Sequence, residues 1–253
     1  MNGGDAVHQV QVSYTNNMQL EALILAGGKG TRLGGVVIDR PKPMASVNGR
    51  PFLEWLLLSL RAQGVYRVIL CTGYMSEMLE AHFGDGHSLD MAVQYSRDPA
   101  LLGTAGAVRH ALGLVQGDRF LVLNGDSYCR ADLCQLSQAH ASRPASATIW
   151  LVQVDDCRRY GSVVIGKDAA VQAFQEKLPE KCAGLINAGV YLLERQVAET
   201  IPDKRAVSLE TEFLPELIGH GLFAVVGEGP FLDIGTPETY AIADEFFARE
   251  KLK

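Results

Sequence analysis

From Leu20 onward, short apolar runs alternate with amphipathic segments. LEALILA (20–26) is a continuous apolar run of the length that is buried on both faces of a parallel sheet, and GGKGTRLGG follows it as a loop. Pro51 suits the first position of a helix that FLEWLLLSLRAQ carries to Gly64, a natural stop. YRVILCT is a second buried strand. The spacing then predicts a helix over 75–82, a strand over 91–96, a helix over 104–112 and a strand over 119–124. Strict alternation of this kind calls for a parallel sheet with helices on both faces.

After residue 145 the order changes. ATIWLVQV, GSVVI, VQAFQE and LINAGVYLL read as strands with little helix between them, which predicts an antiparallel section added to the first half. Helices at 210–219 and 236–249 flank LFAVVG and a short strand at Phe231–Leu232. With no Pro/Ser linker and no repeat of 20 to 50 residues, the pattern predicts one domain over 18–253, with lobes of about 18–145 and 146–253. Residues 1–17 are rich in Asn, Gln and Gly and read as a flexible N-terminal extension; the alternation of Val10, Val12 and Tyr14 is also compatible with a frayed edge strand.

Composition narrows the function classes. The 253 residues are 47% hydrophobic and 21% charged, as in an ordinary globular protein, and 23 Lys+Arg against 29 Asp+Glu give a net charge of −6. An acidic balance argues against a broad electrostatic grip on nucleic acid or an anionic membrane, so any polyanion must meet a local cluster of cations. The five cysteines are odd in number and form no CxxC, the pattern of reduced thiols, and the histidines form no HExxH. No apolar stretch approaches the ~18 residues of a membrane span, and the N-terminus lacks a signal-peptide pattern. The expectation is a soluble cytoplasmic protein without nucleic-acid or membrane partners.

The local cation cluster lies in the glycine loop. From Gly27 to Gly35 the chain places five glycines with Lys29 and Arg32 directly after a buried strand. Free N–H groups there can cradle phosphate oxygens, while the cations supply charge. The dinucleotide fingerprint fails because Leu33 stands where its third glycine belongs, and the P-loop fails because Lys29 precedes Gly30. A plain glycine-rich turn is the competing reading. Further on, prolines flank Lys42 in Arg40-Pro41-Lys42-Pro43-Met44 and limit where its ammonium can point.

LAGGKGTRL followed by RPKPM resembles the nucleotide-binding opening of the sugar nucleotidyltransferases, which join a nucleoside triphosphate to a sugar 1-phosphate and release pyrophosphate. The resemblance runs from about Leu20 to Tyr240. It implies a Rossmann-like three-layer α/β/α fold of the GT-A-like nucleotidyltransferase type, with a mostly parallel central sheet and an antiparallel sugar-side section. It also implies that Leu25, Ala26, Gly27, Gly28, Gly30, Thr31 and Arg32 hold the nucleotide, and that Lys42 neutralises the α-phosphate.

Two carboxylates stand where metal chemistry would need them. FLVLNGDS places Asp126, with Asn124 and Gly125, at the C-terminal end of a buried strand, the edge where open α/β sheets bind ligands. Asp233 follows the short strand of FLDIGTPETY. Tight turns or helix capping would explain either aspartate alone, although Thr236-Pro237 is the better cap. By resemblance the two share one Mg²⁺, a hard cation that favours oxygen ligands. The resemblance further assigns Leu102, Gly103 and Thr104 of LGTAGA to the base. Glu176 and Lys177 of FQEK, with Asn187 and Gly189 of NAG, go to the sugar phosphate.

Within the family, GGKGTRLGGVVIDRPKPMASVNGRPFLEW is most similar to the heptose 1-phosphate guanylyltransferases. That implies GTP and D-glycero-α-D-manno-heptose 1-phosphate as substrates, a GDP-sugar for surface glycan synthesis as product, and a homodimer as a family-level expectation. Mannose 1-phosphate guanylyltransferases and thymidylyl- or uridylyltransferases share most of these features. A non-catalytic sugar-nucleotide sensor is the alternative of another class.

Overall fold

The computed structural model describes residues 20–28, 37, 39–175, 180–203 and 205–250. Its strands, in chain order, are β1 (Glu21–Leu25), β2 (Ser46–Val47), β3 (Arg50–Pro51), β4 (Arg67–Thr72), β5 (Ala92–Arg97), β6 (Arg119–Asn124) and β7 (Ser127–Cys129), then β8 (Ala147–Val154), β9 (Ser162–Ile165), β10 (Val171–Gln175), β11 (Gly184–Glu194), β12 (Leu222–Gly227) and β13 (Phe231–Asp233). The helices are α1 (Phe52–Ala62), α2 (Ser76–Phe83), α3 (Gly103–Ala111), α4 (Leu133–Ala141), α5 (Arg195–Ala198), α6 (Leu214–Glu216), α7 (Pro237–Ala241) and α8 (Ala243–Arg249).

Seven strands form one sheet in the order β12-β8-β11-β6-β1-β4-β5. Both faces of its inner strands are covered, which is why those strands read as unbroken apolar runs. In β1, Ala22 and Ile24 enter one apolar cluster with Leu56 and Leu60 of α1 and Leu136 of α4, while Leu23 enters the opposite cluster with Val108 of α3. The result is three layers, α/β/α.

The antiparallel section expected of β8, β9, β10 and β11 is present, and it turns on one reversed strand of the main sheet. β8 and β12 pair in parallel and extend the first half, and within the main sheet only β11 runs against its neighbours β6 and β8. The remaining antiparallel pairs are small: β9 with β10, β7 with β13, and β2 with β3. A strand's direction depends on the path of its connections, which an apolar run does not encode.

Three helical expectations also change. The structure adds α4, whose narrow stripe of Leu133, Leu136 and His140 is diluted by Ser and Gln, and whose N-terminus is capped by Asp132 accepting from Gln135 N at 2.9 Å. The helix expected over 210–219 is a π turn at Leu209–Phe213 followed by one α turn, with Pro215 supplying no N–H to prolong either. The helix expected over 236–249 divides at Ile242 into α7 and α8. Thr236 caps α7 in a capping box with Thr239, as Thr236-Pro237 suggested.

Candidate active site

β1, β4 and β6 run parallel, so their C-terminal ends meet at one edge, with Leu25 beside Cys71 on one side and Asn124 on the other. A cavity of about 540 Å³ opens there, where ligands collect in open α/β sheets. Its wall joins Leu25, Ala26, Gly27 and Gly28 after β1 to Asn124 and Asp126 after β6, Leu102, Gly103 and Thr104 at the start of α3, Lys42, Asn187 and Asp233. Residues more than two hundred positions apart in the chain thus line one space.

The charged centre is Lys42. It begins a 3-10 turn, Lys42–Met44, and is 8% exposed, so its ammonium is held rather than waving in solvent. Nζ donates to Asp126 Oδ2 at 2.7 Å and lies 3.7 Å from Asp233 Oδ1. The two aspartates meet because β13 pairs with β7, which sets Asp233 opposite Ser127, and because Ile234 N donates to Asp126 O at 3.1 Å. Asp233 also accepts from Gly235 N, which fixes its carboxylate.

On the side of α3, Gly103 has φ +71, and a Cβ there would lie 2.4 Å from Val207 O. Thr104 is satisfied inside the protein: its hydroxyl donates to Glu210 Oε2 at 2.9 Å and accepts from Leu209 N at 2.7 Å. It therefore shapes the wall. Two groups on the cavity wall keep unused capacity: Asp98 Oδ1 and Asn124 Oδ1 are both buried without a hydrogen-bond partner among the described residues. Burial pushes the Asp98 carboxyl up to about 6, against a smaller opposing pull from His110.

The other side is polar and aromatic. Asn187 Nδ2 donates to Tyr191 OH at 2.9 Å, and Asn187 Oδ1 accepts from Gly189 N at 3.0 Å, at the irregularity where β11 loses register with β8. Burial holds the Tyr191 hydroxyl well above its ordinary value, with Glu210 adding to the shift. Tyr160 and Phe231 line the same wall and meet edge to face, with ring centroids 5.5 Å apart.

Of the sequence candidates, Gly30, Thr31, Arg32, Glu176 and Lys177 lie outside the described residues. Gly125 and Gly189 stand behind the wall. Gly125 N donates to Leu25 O at 3.0 Å, tying β6 to β1, and a Cβ on Gly189, whose φ is +72, would lie 2.7 Å from Asn124 Nδ2. Both are needed for close packing. Asp98, Tyr160 and Glu210 are additions that the sequence reading missed. The signals were slight: an acidic residue before Pro99, a Tyr-Gly step into β9, and a glutamate in the first turn after Ser208.

Residues 21–250 match the nucleotidyl transferase family. The chain is 40% identical over 225 residues to the mannose-1-phosphate guanylyltransferase of Mycobacterium tuberculosis, covering 88% of this chain and 63% of that protein, so it spans less than two thirds of that relative's length. It is 35% identical to the D-glycero-alpha-D-manno-heptose 1-phosphate guanylyltransferase of Aneurinibacillus thermoaerophilus over 89% of this chain and 97% of the relative. The crystal structure of HddC from Yersinia pseudotuberculosis complexed with GMP-PN superposes with a TM-score of 0.80 at 36% identity, covering 90% of this chain and 99% of that one. A cavity at the sheet's C-terminal edge, Gly27 and Gly28 on its wall and a match across nearly all the described residues agree: the chain belongs to the nucleotidyl transferase family.

Proposed function

We propose that this protein is a sugar 1-phosphate guanylyltransferase, which transfers GMP from GTP to a sugar 1-phosphate and releases pyrophosphate. The observation that carries the reading is the Lys42 ammonium held between Asp126 and Asp233 in the cavity that Gly27 and Gly28 also line. The sugar phosphate arrives ionised, so no general base is required. Its oxygen attacks the α-phosphorus in line, forming a new P–O bond while the bridging α–β P–O bond breaks and its electron pair leaves with pyrophosphate. The protein's work is positioning and charge neutralisation. Lys42 meets the α-phosphate. Arg32 and the glycine loop hold the triphosphate, and Lys177 and Glu176 serve the sugar phosphate.

The donor set fits Mg²⁺. Two carboxylates converge on one point that a cation already occupies, and a hard divalent ion takes such oxygens together with phosphate oxygens and water. Asp126 and Asp233 would hold the ion, which would neutralise phosphate charge.

Asp98 supports guanine. Its buried Oδ1 has no partner among the described residues, and guanine presents N1–H and the 2-amino group side by side, two donors that a carboxylate can accept together. Uracil and thymine offer one ring N–H. For the sugar, the opening motif and the likeness to the heptose 1-phosphate guanylyltransferase of Aneurinibacillus thermoaerophilus favour D-glycero-α-D-manno-heptose 1-phosphate, while the similarity to the mannose-1-phosphate enzyme supports mannose as a second reading. With Mg²⁺, five nucleoside triphosphates and a panel of sugar 1-phosphates, pyrophosphate release should occur with GTP and heptose 1-phosphate. Release with mannose 1-phosphate instead would select the second reading, and none from any pair would favour a sensor.

A further inference from the structure

Of the five cysteines, Cys71 and Cys129 are buried and burial raises both thiols, Cys129 to about 12, so neither is a ready nucleophile. Cys134 is exposed. Cys157 and Cys182 are different: they touch. Cys157 N donates to Cys182 O at 2.9 Å, so the two residues sit side by side as a backbone-paired couple, at the Cα spacing that a disulfide spans, although β9 and β10 lie between them in the chain. Cys157 is buried, while Cys182 is partly exposed.

We propose that Cys157 and Cys182 form a reversible disulfide, and that this bond retunes the sugar-phosphate half of the cavity. The Cys182 thiolate attacks a small-molecule disulfide such as oxidised glutathione and displaces one thiolate. Cys157 then gives up its proton and attacks the Cys182 sulfur, releasing the second thiol. Two protein thiols are oxidised and one external disulfide is reduced to two thiols. The neighbouring Cys182 side chain, aided by burial, holds the Cys157 thiol above its ordinary value, which suits the resolving member of the pair rather than the attacking one.

The route to the cavity is short. Cys157 O accepts from both Tyr160 N and Gly161 N at 3.0 Å, and Tyr160 is a wall residue braced by Phe231. A disulfide fixes the side-chain torsions of both cysteines and holds the sulfurs at about 2.0 Å, and any shift of the Cys157 backbone that this brings would pass to the turn carrying Tyr160. This second half of the proposal rests on the guanylyltransferase reading; formation of the bond does not.

The test uses the full chain with Cys134→Ser to remove the exposed thiol. Oxidised glutathione should remove two hydrogens from the intact mass and yield one linked peptide pair containing Cys157 and Cys182. It should also raise the KM for sugar 1-phosphate about threefold or more while leaving that for GTP unchanged, with dithiothreitol restoring both values. Cys182→Ser should make activity indifferent to the oxidant, whereas Cys157→Ser, which lacks the resolving thiol, should trap one glutathione on Cys182 that dithiothreitol removes. With Cys157 in place, a stable glutathione adduct on Cys182, or no mass change, would overturn the bond. Bond formation with an unchanged KM would overturn its effect. Absence of turnover in the reduced protein would count against the guanylyltransferase reading and leave the mass result standing.

Discussion

The ammonium of Lys42 lies 2.7 Å from a carboxylate oxygen of Asp126 and is almost wholly buried, so each group answers for the other's charge. Phosphate oxygens arriving at the cavity would compete with Asp126 for that ammonium and free the carboxylate for a metal. Lys42→Met keeps the stem and removes the charge. It should lower kcat by about 10²–10³, the loss typical when one donor to developing transition-state charge is removed. Asp126→Asn should do the same and raise the Mg²⁺ concentration needed for half-maximal rate. Pyrophosphate release and thermal melts on both variants check this; near-normal turnover in a folded variant would remove Lys42 or Asp126 from the chemistry.

Two glycines of the wall should part company on mutation. Gly103 has φ +71 and Val207 O would lie 2.4 Å from an added Cβ, so Gly103→Ala should cost about 1–3 kcal/mol of stability and raise the KM for GTP as the start of α3 shifts. Gly28 has nothing among the described residues within 4 Å of an added Cβ. Gly28→Ala should therefore melt like the parent while losing GTP affinity, because the methyl group enters space meant for the nucleotide. Denaturant midpoints and KM values measured together separate the two outcomes.

Much of this site could be read from the chain, because glycine runs and strand-end carboxylates signal through local chemistry. The glycine loop, Lys42 and each aspartate announce themselves that way. The meeting of Asp126 with Asp233 does not, since it depends on β13 returning to pair with β7. Asp98 in SRDPA looks like any solvated turn residue until burial strips it of partners, and Tyr160 and Glu210 gain meaning only from what folds against them. The same holds for α4, whose apolar stripe is too narrow to separate from a polar loop.

His140 provides a pH test away from the cavity. It is 2% exposed, with Nδ1 2.8 Å from Thr148 Oγ1 and Nε2 3.0 Å from Glu194 Oε1. Burial lowers its pKa and Glu194 only partly opposes this. The unfolded chain then takes up the proton first, so the contribution of His140 to stability is complete above its ordinary value of 6.5 and is lost as pH falls below it. Between about pH 7.5 and about pH 5.5, roughly one unit either side of that value, the parent should lose a few degrees more in Tm than His140→Gln. Parallel losses in both proteins would show that the ring is not the titrating group.

Asp98 should produce the opposite sign and link it to base choice. Its carboxyl is pushed up to about 6 by burial, so the folded protein holds the proton more tightly than the unfolded chain, and stability falls as pH rises from about 4 through about 6. Asp98→Asn removes that penalty and should melt higher than the parent at pH 7.5. Binding should go the other way. Guanine needs the ionised acceptor, so the KM for GTP should rise as pH drops through about 6, and Asp98→Asn should flatten that profile while raising KM at neutral pH by about tenfold or more, the worth of a charged hydrogen bond. The variant should also lose preference for GTP over UTP, since an amide pairs one donor with one acceptor. A pH profile for GTP that survives Asp98→Asn unchanged would assign base recognition to another group.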